Sequence, residues 1–100
     1  MKKKLDILDK IATLGKLKKK ALYKLVLLND DFTSMDFVVK VLILFLSKKK
    51  NEAEKLMLQV HNEGSAVCGL YTFDLARTIR DKINNYSNIN KQPLKCIIKD

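Results

Sequence analysis

Leu27-Leu28-Asn29-Asp30-Asp31-Phe32-Thr33-Ser34-Met35-Asp36-Phe37-Val38 is the stretch on which the reading of this 100-residue chain turns. An apolar run of strand type stops at three small polar side chains, and a helix begins at Thr33 or Ser34. Thr33 followed three residues later by Asp36 is close to a capping box, which favours Thr33 as the cap. The loop in between gathers the acceptor oxygens of Asn29, Asp30 and Asp31, with up to two negative charges, at the end of a strand. Such a cluster suits a cationic group with several N–H donors, and the free α-amino terminus of a polypeptide is one. The same three residues also make an ordinary Asx turn before a helix.

Working outward, Ala21–Leu28 alternates as a strand, and the helix after the loop runs to about Ser47. Asp36 and Lys40, one turn apart, are its only charged interior positions, so a buried core helix with a narrow solvent stripe is expected. Met35 to Leu46 is too short to cross a bilayer. Lys48-Lys49-Lys50 forms a solvated turn, and Asn51 with Glu54 then caps a second helix. Ala53, Leu56, Met57 and Val60 follow its apolar period, and Gly64 ends it. Met57 and His61 lie one helical turn apart on one face. On their own, Met57 reads as core and His61 as a helix-end histidine.

Ala66–Tyr71 is a second strand, in which Gly69 marks a bulge or a close backbone approach. Thr72 starts a third helix with Leu75, Ala76, Ile79 and Ile83 as its buried face. Ser87 to Gln92 reads as a polar connection, and Pro93 opens a last strand over Leu94–Ile98. The order is β-α-α-β-α-β: a three-stranded sheet with three helices in an α+β domain over residues 21–100. Pattern alone leaves antiparallel and mixed pairing open.

Composition agrees with one domain, since 47% hydrophobic residues over this length can close a single core. Cys68 and Cys96, without CxxC spacing and with one histidine in the chain, are too few for zinc, and read as reduced core thiols. The formal charge of +9 suggests nucleic acid until its distribution is considered. Residues 1–20 hold eight lysines against Asp6 and Asp9, and only Arg77 and Arg80 represent arginine among the twenty basic residues. Readers of bases and phosphates lean on arginine forks and stacked aromatics instead.

The first twenty residues lack the unbroken apolar run of a secretory signal and the arginine and serine of a transit peptide. They are expected to form a flexible, partly helical Lys-rich arm, with Leu5, Leu8, Ile11 and Ala12 on one face. Asp30, Asp31 and His61 hold the ingredients of a small hydrolytic or metal site, but no activated nucleophile or further ligand cluster accompanies them. A non-enzymatic binding module is the expectation.

Four segments together carry a family resemblance. Leu28-Asn29-Asp30-Asp31 through Met35-Asp36-Phe37-Val38, Leu56 through His61 with Gly64, Val67-Cys68-Gly69, and Pro93-Leu94-Lys95-Cys96 occur in the order and spacing of ClpS, the adaptor that delivers N-end-rule substrates to the Clp protease. The resemblance covers roughly residues 22–99. It implies an antiparallel sheet, as in the C-terminal domain of the ribosomal stalk protein, and a cytoplasmic monomer that needs no cofactor, metal, nucleic acid or membrane. It implies that Asn29, Asp30 and His61 hold an α-amino group, and that Asp31, Thr33, Met35, Val38, Met57, Val60 and Leu94 surround a pocket for a large apolar first residue, with Met35 as a gate against β-branched ones.

The implied partners are N-degron substrates and the N-terminal domain of an AAA+ Clp unfoldase, with the arm serving delivery. On the docking surface Asp74 matches the family's acid, whereas Ile79 replaces its lysine and Arg80 stands adjacent. Ser34 stands where the family usually has proline, and both residues suit a helix start. The rival expectation is a basic ribosome- or RNA-associated module, resting on the lysine-rich arm and the stalk-like fold.

Overall fold

The computed structural model describes residues 21–100, so the expected arm lies outside the described residues. Its centre is β1 (Tyr23–Leu28), flanked by β2 (Ser65–Tyr71) on one side and β3 (Lys95–Lys99) on the other. Both pairings are antiparallel, which settles what the pattern left open. Between them come α1 (Met35–Leu46), α2 (Lys50–Glu63) and α3 (Phe73–Ile89), in the expected order.

Register explains why one face of the sheet is buried. Leu27 lies opposite Ala66 and Cys96, and Leu25 opposite Gly69 and Ile98, so these side chains share a face. Leu25, Leu27, Ala66, Cys68 and Cys96 join Phe37, Val41 and Leu42 of α1, Ala53 and Val60 of α2, and Ala76 and Ile83 of α3 in one core. On the opposite face Lys24, Val67 and Leu70 are exposed and Val26 is buried, and the described helices pack against the face of Leu25 and Leu27.

The expected feature at Gly69 is present in both forms. Register shifts between Leu25 and Val26, so that Cys68 is the extra residue of a bulge. A Cβ at Gly69 would stand 2.5 Å from Cε2 of Tyr71. The bare backbone there lets the Tyr71 ring fold back over the strand. Gly64 ends α2 in the left-handed region (φ 88°), as its position after the helix required.

Four local expectations are corrected. Ser34, not Thr33, caps α1: its Oγ accepts the Phe37 N–H at 3.1 Å. The cap of α2 is Lys49, without a side-chain bond, because Asn51 Oδ1 accepts from its neighbour Glu52 instead. On α1, Ile43 and Leu44 are exposed, so its solvent stripe is wider than Asp36 and Lys40 alone.

The fourth correction concerns α3. Leu75 is 48% exposed, and the buried stripe is Ala76, Ile83 and Ser87, with Ile79 and Tyr86 packed beside it. The helix therefore continues to Ile89, through residues read as a connection. Tyr86 stacks on Phe37 with centroids 5.5 Å apart and meets Phe45 edge-on at 5.3 Å. Such contacts outweigh the weak helix propensity of serine and asparagine.

Burial governs the two free cysteines. It pushes the Cys68 thiol from 9.0 up to about 11. It pushes Cys96 up to about 12. Both thiols stay protonated in the folded chain, whereas in the unfolded chain they ionise near pH 9. Above that pH the unfolded state has lost protons that the native state keeps, so stability falls as pH rises. Urea midpoints should therefore be flat up to about pH 8.5 and decline between pH 9 and about 12. Replacing both cysteines by alanine should flatten that decline.

Candidate functional site

The acceptor loop is pinned by hydrogen bonds from its backbone N–H groups to carbonyl and side-chain oxygens. At the end of β1 the Asn29 N–H donates to the Gly64 carbonyl at 2.9 Å. Asp30 closes an Asx turn, its Oδ1 accepting from Phe32 N–H at 2.8 Å and its carbonyl from Thr33 N–H at 3.0 Å. Ser34 then caps α1, and its own N–H donates to Oε1 of Gln92 at 3.1 Å. The loop is thus fastened to the end of α2, to itself, and to the α3–β3 connection.

His61 lies three residues before Gly64, whose carbonyl holds Asn29. It lies in the last turn, exposed, and the Gly64 N–H closes that turn on the Val60 carbonyl at 3.0 Å. Gly64 therefore faces two ways, ending the His61 helix through its N–H and holding Asn29 through its carbonyl. The Asx turn does not exhaust Asp30, because a carboxylate has about four acceptor sites and Phe32 takes one. Asn29 keeps its side chain exposed.

The apolar residues divide by depth. Val38, Val60 and Leu94 are buried members of the core, and Met57 packs against it half-buried. Met35 is 43% exposed at the first position of α1. Thr33 is half-buried, with a buried Oγ1 that has no hydrogen-bond partner among the described residues. Asp31 is exposed beside them.

Asp74 and Arg80 are not brought together. Asp74 pairs with Arg77 at 3.9 Å on the exposed start of α3, where the Arg77 guanidinium lies 5.8 Å from the Phe73 ring centroid. Phe73 meets Tyr23 edge-on at 5.3 Å. Arg80 turns instead to Asp81 at 3.0 Å. Sequence reading missed Arg77, although its i, i+3 spacing from Asp74 was available. It also missed Gln92, whose partner lies 58 residues away and leaves no local signal.

Among the described residues there is no group of three or more His, Cys, Asp and Glu side chains able to hold a metal, and no helix long and apolar enough to cross a membrane.

Against this geometry the comparisons fall into place. Residues 18–97 match the family model described as ATP-dependent Clp protease adaptor protein ClpS. The ATP-dependent Clp protease adapter protein ClpS of Shewanella pealeana is 39% identical over 86 residues, covering 86% of this chain and 84% of that one. Among solved structures, Agrobacterium tumefaciens ClpS2 bound to L-phenylalaninamide superposes with a TM-score of 0.77 at 30% identity, covering 80% of this chain and 96% of that one. The fold is that of a small protease adaptor, a class of proteins that is not enzymatic. The chain belongs to the ClpS family of Clp protease adaptors.

Ser34→Ala should cost about 1 kcal/mol in urea denaturation, because it removes the cap of α1. Gln92→Ala should cost less, since the Ser34 N–H it frees can turn to water. Amide exchange should quicken at Phe37 in the first variant and at Ser34 in the second.

Proposed function

We propose that this adaptor captures proteins by a free α-amino group and a large apolar first side chain, Leu, Phe, Tyr or Trp, and passes them to the N-terminal domain of an AAA+ Clp unfoldase. The observation that carries the reading is the ligand of the similar Agrobacterium structure. L-Phenylalaninamide is a chain start in miniature: an α-ammonium, one aromatic side chain and an amide in place of a free carboxylate.

The residues of this chain suit such a guest. An α-ammonium brings three N–H donors, and hydrogen bonds between ionised groups contribute roughly 1.5–3 kcal/mol each. Asp30 supplies the charge, while the Asn29 carbonyl and a neutral His61 nitrogen supply further acceptors. Burying a Leu or Phe side chain over Val38, Val60 and Leu94 adds roughly 1.5–3 kcal/mol, which separates large apolar from polar first residues. Met35 and Met57 form the walls, with Thr33 at the edge and Asp31 at the rim. Thioether chains adapt to guests of different outline, and Met35, at the mouth, excludes β-branched ones.

Docking on the unfoldase is assigned to the exposed Asp74, with Arg77 as its cationic neighbour because Arg80 turns towards Asp81. Residues 1–20 are assigned to delivery rather than capture, since the proposed pocket lies wholly within residues 29–94.

The deciding experiment compares a peptide beginning with Leu or Phe with its N-acetylated twin by fluorescence anisotropy. Acetylation removes the charge and leaves one amide N–H opposite Asp30. The free peptide should bind and the acetylated one should not; equal affinities would discard the reading.

Two substitutions should fail differently. Asp30→Asn keeps an oxygen for the Asx turn to Phe32 while removing the charge, so every N-terminus should weaken alike, by about tenfold or more. Met35→Ala should instead raise the affinity of Val and Ile peptides relative to Leu. Unchanged selectivity in that variant would reduce Met35 to packing.

A further inference from the structure

A concavity lined by none of Asn29, Asp30 and His61 is left unused by the expected function. It is a half-open cleft of about 550 Å³ between α3 and β3, within the size range of small-molecule sites. Arg80, Asn84 and Asn88, spaced four apart, form one stripe of α3 along its wall. Pro93, Leu94 and Ile97 give it an apolar floor, and Lys95 adds a second cation. Of the residues expected to surround the peptide pocket, only Leu94 also lines this cleft.

Asn84 decides what kind of guest the cleft takes. Its Nδ2 donates to the Cys96 carbonyl at 3.1 Å, and its Oδ1 accepts the Cys96 N–H at 2.8 Å. One side-chain amide thereby consumes the outward backbone pair of the β3 edge at Cys96, so an extended peptide cannot add as a further strand there. Recognition falls to side chains instead.

The charged groups of the lining are Arg80 and Lys95, both cationic. Among the described residues the counter-charge paired with Arg80 is Asp81, which engages its Nε and is 65% exposed, so it orients the guanidinium more than it neutralises it. Among the described residues no ion pair takes the Nη donors of Arg80 or the Lys95 ammonium, and with the Asn88 amide they offer donors to an anion above an apolar floor.

We propose that this cleft binds a small anionic molecule with an apolar body: a carboxylate or phosphate carried on one or two groups of leucine or phenyl size. The anionic end lies against Arg80 and Lys95 and the apolar end on Pro93, Leu94 and Ile97. The chemistry differs from that of the acceptor loop, which suits a cation, so the two sites do not compete for one ligand.

The test uses the full chain and probes without an α-amino group, which keeps them out of the proposed peptide pocket. N-acetyl-leucyl-phenylalanine, its C-terminal amide and phenyl phosphate are titrated to millimolar concentration while amide and side-chain resonances are followed by NMR. The free carboxylate, phenyl phosphate or both should move the Asn84 and Asn88 side-chain and Arg80 Nε signals, with Asn29 and His61 unmoved. The amide should bind about tenfold more weakly or worse. Binding of one anion without the other distinguishes a carboxylate from a phosphate headgroup. Arg80→Gln with Lys95→Gln should abolish the shifts while leaving thermal stability and affinity for a Leu-initiated peptide unchanged. Equal binding of acid and amide, unchanged binding by the double variant, or no movement at the cleft with any probe would overturn the proposal.

Discussion

The two-sided pairing of β1 is the constraint from which the rest of the molecule follows. Leu25 and Leu27 are wholly buried, each worth roughly 1.5–3 kcal/mol in burial, and both edges of the strand are hydrogen-bonded. A slip of one residue would turn those leucines to the exposed face, so the register is strongly specified. The end of β1, and with it Asn29, is thereby fixed in the middle of the sheet's end. Every other part of the acceptor loop is placed relative to that point.

From there a few hydrogen bonds, each with a backbone N–H as donor, set the path of the acceptor loop. Gly64 ends α2 and holds Asn29, Ser34 starts α1, and Gln92 reaches back to Ser34 from the far end of α3. Bonds of this kind settle the path of the loop while committing only one acceptor of Asp30. The side chains of Asn29 and His61 stay exposed, and Asp30 keeps further acceptor sites. A binding site needs such preorganisation, because every group ordered at the moment of capture subtracts from affinity.

The same economy appears at the two remaining irregularities. The bulge at Cys68 turns β2 without exposing its core side chains, and the bare Gly69 next to it makes room for the Tyr71 ring. At the other sheet edge Asn84 occupies the backbone of Cys96, so β3 is shielded from pairing with a further strand. Shielding the edge also shapes the neighbouring cleft, whose donors belong to side chains alone.

Much of this was already determined by the sequence. The order of elements, the loop between β1 and α1, the stop at Gly64 and the irregularity at Gly69 rest on apolar period and on what glycine and small polar residues permit locally. Those signals span a few residues, so a linear reading captures them. The family was legible for a related reason, since its segments are short and keep their order. Only tertiary structure decided the cap at Ser34 over Thr33, the phase of α3 that exposes Leu75 and buries Ser87, and its extension to Ile89. It also decided that Asp74 meets Arg77 and that Gln92 supports a loop 58 residues away. Each of these depends on which surface lies opposite, as Phe37 and Phe45 do for Tyr86, and contacts between distant segments leave no periodic trace in the sequence.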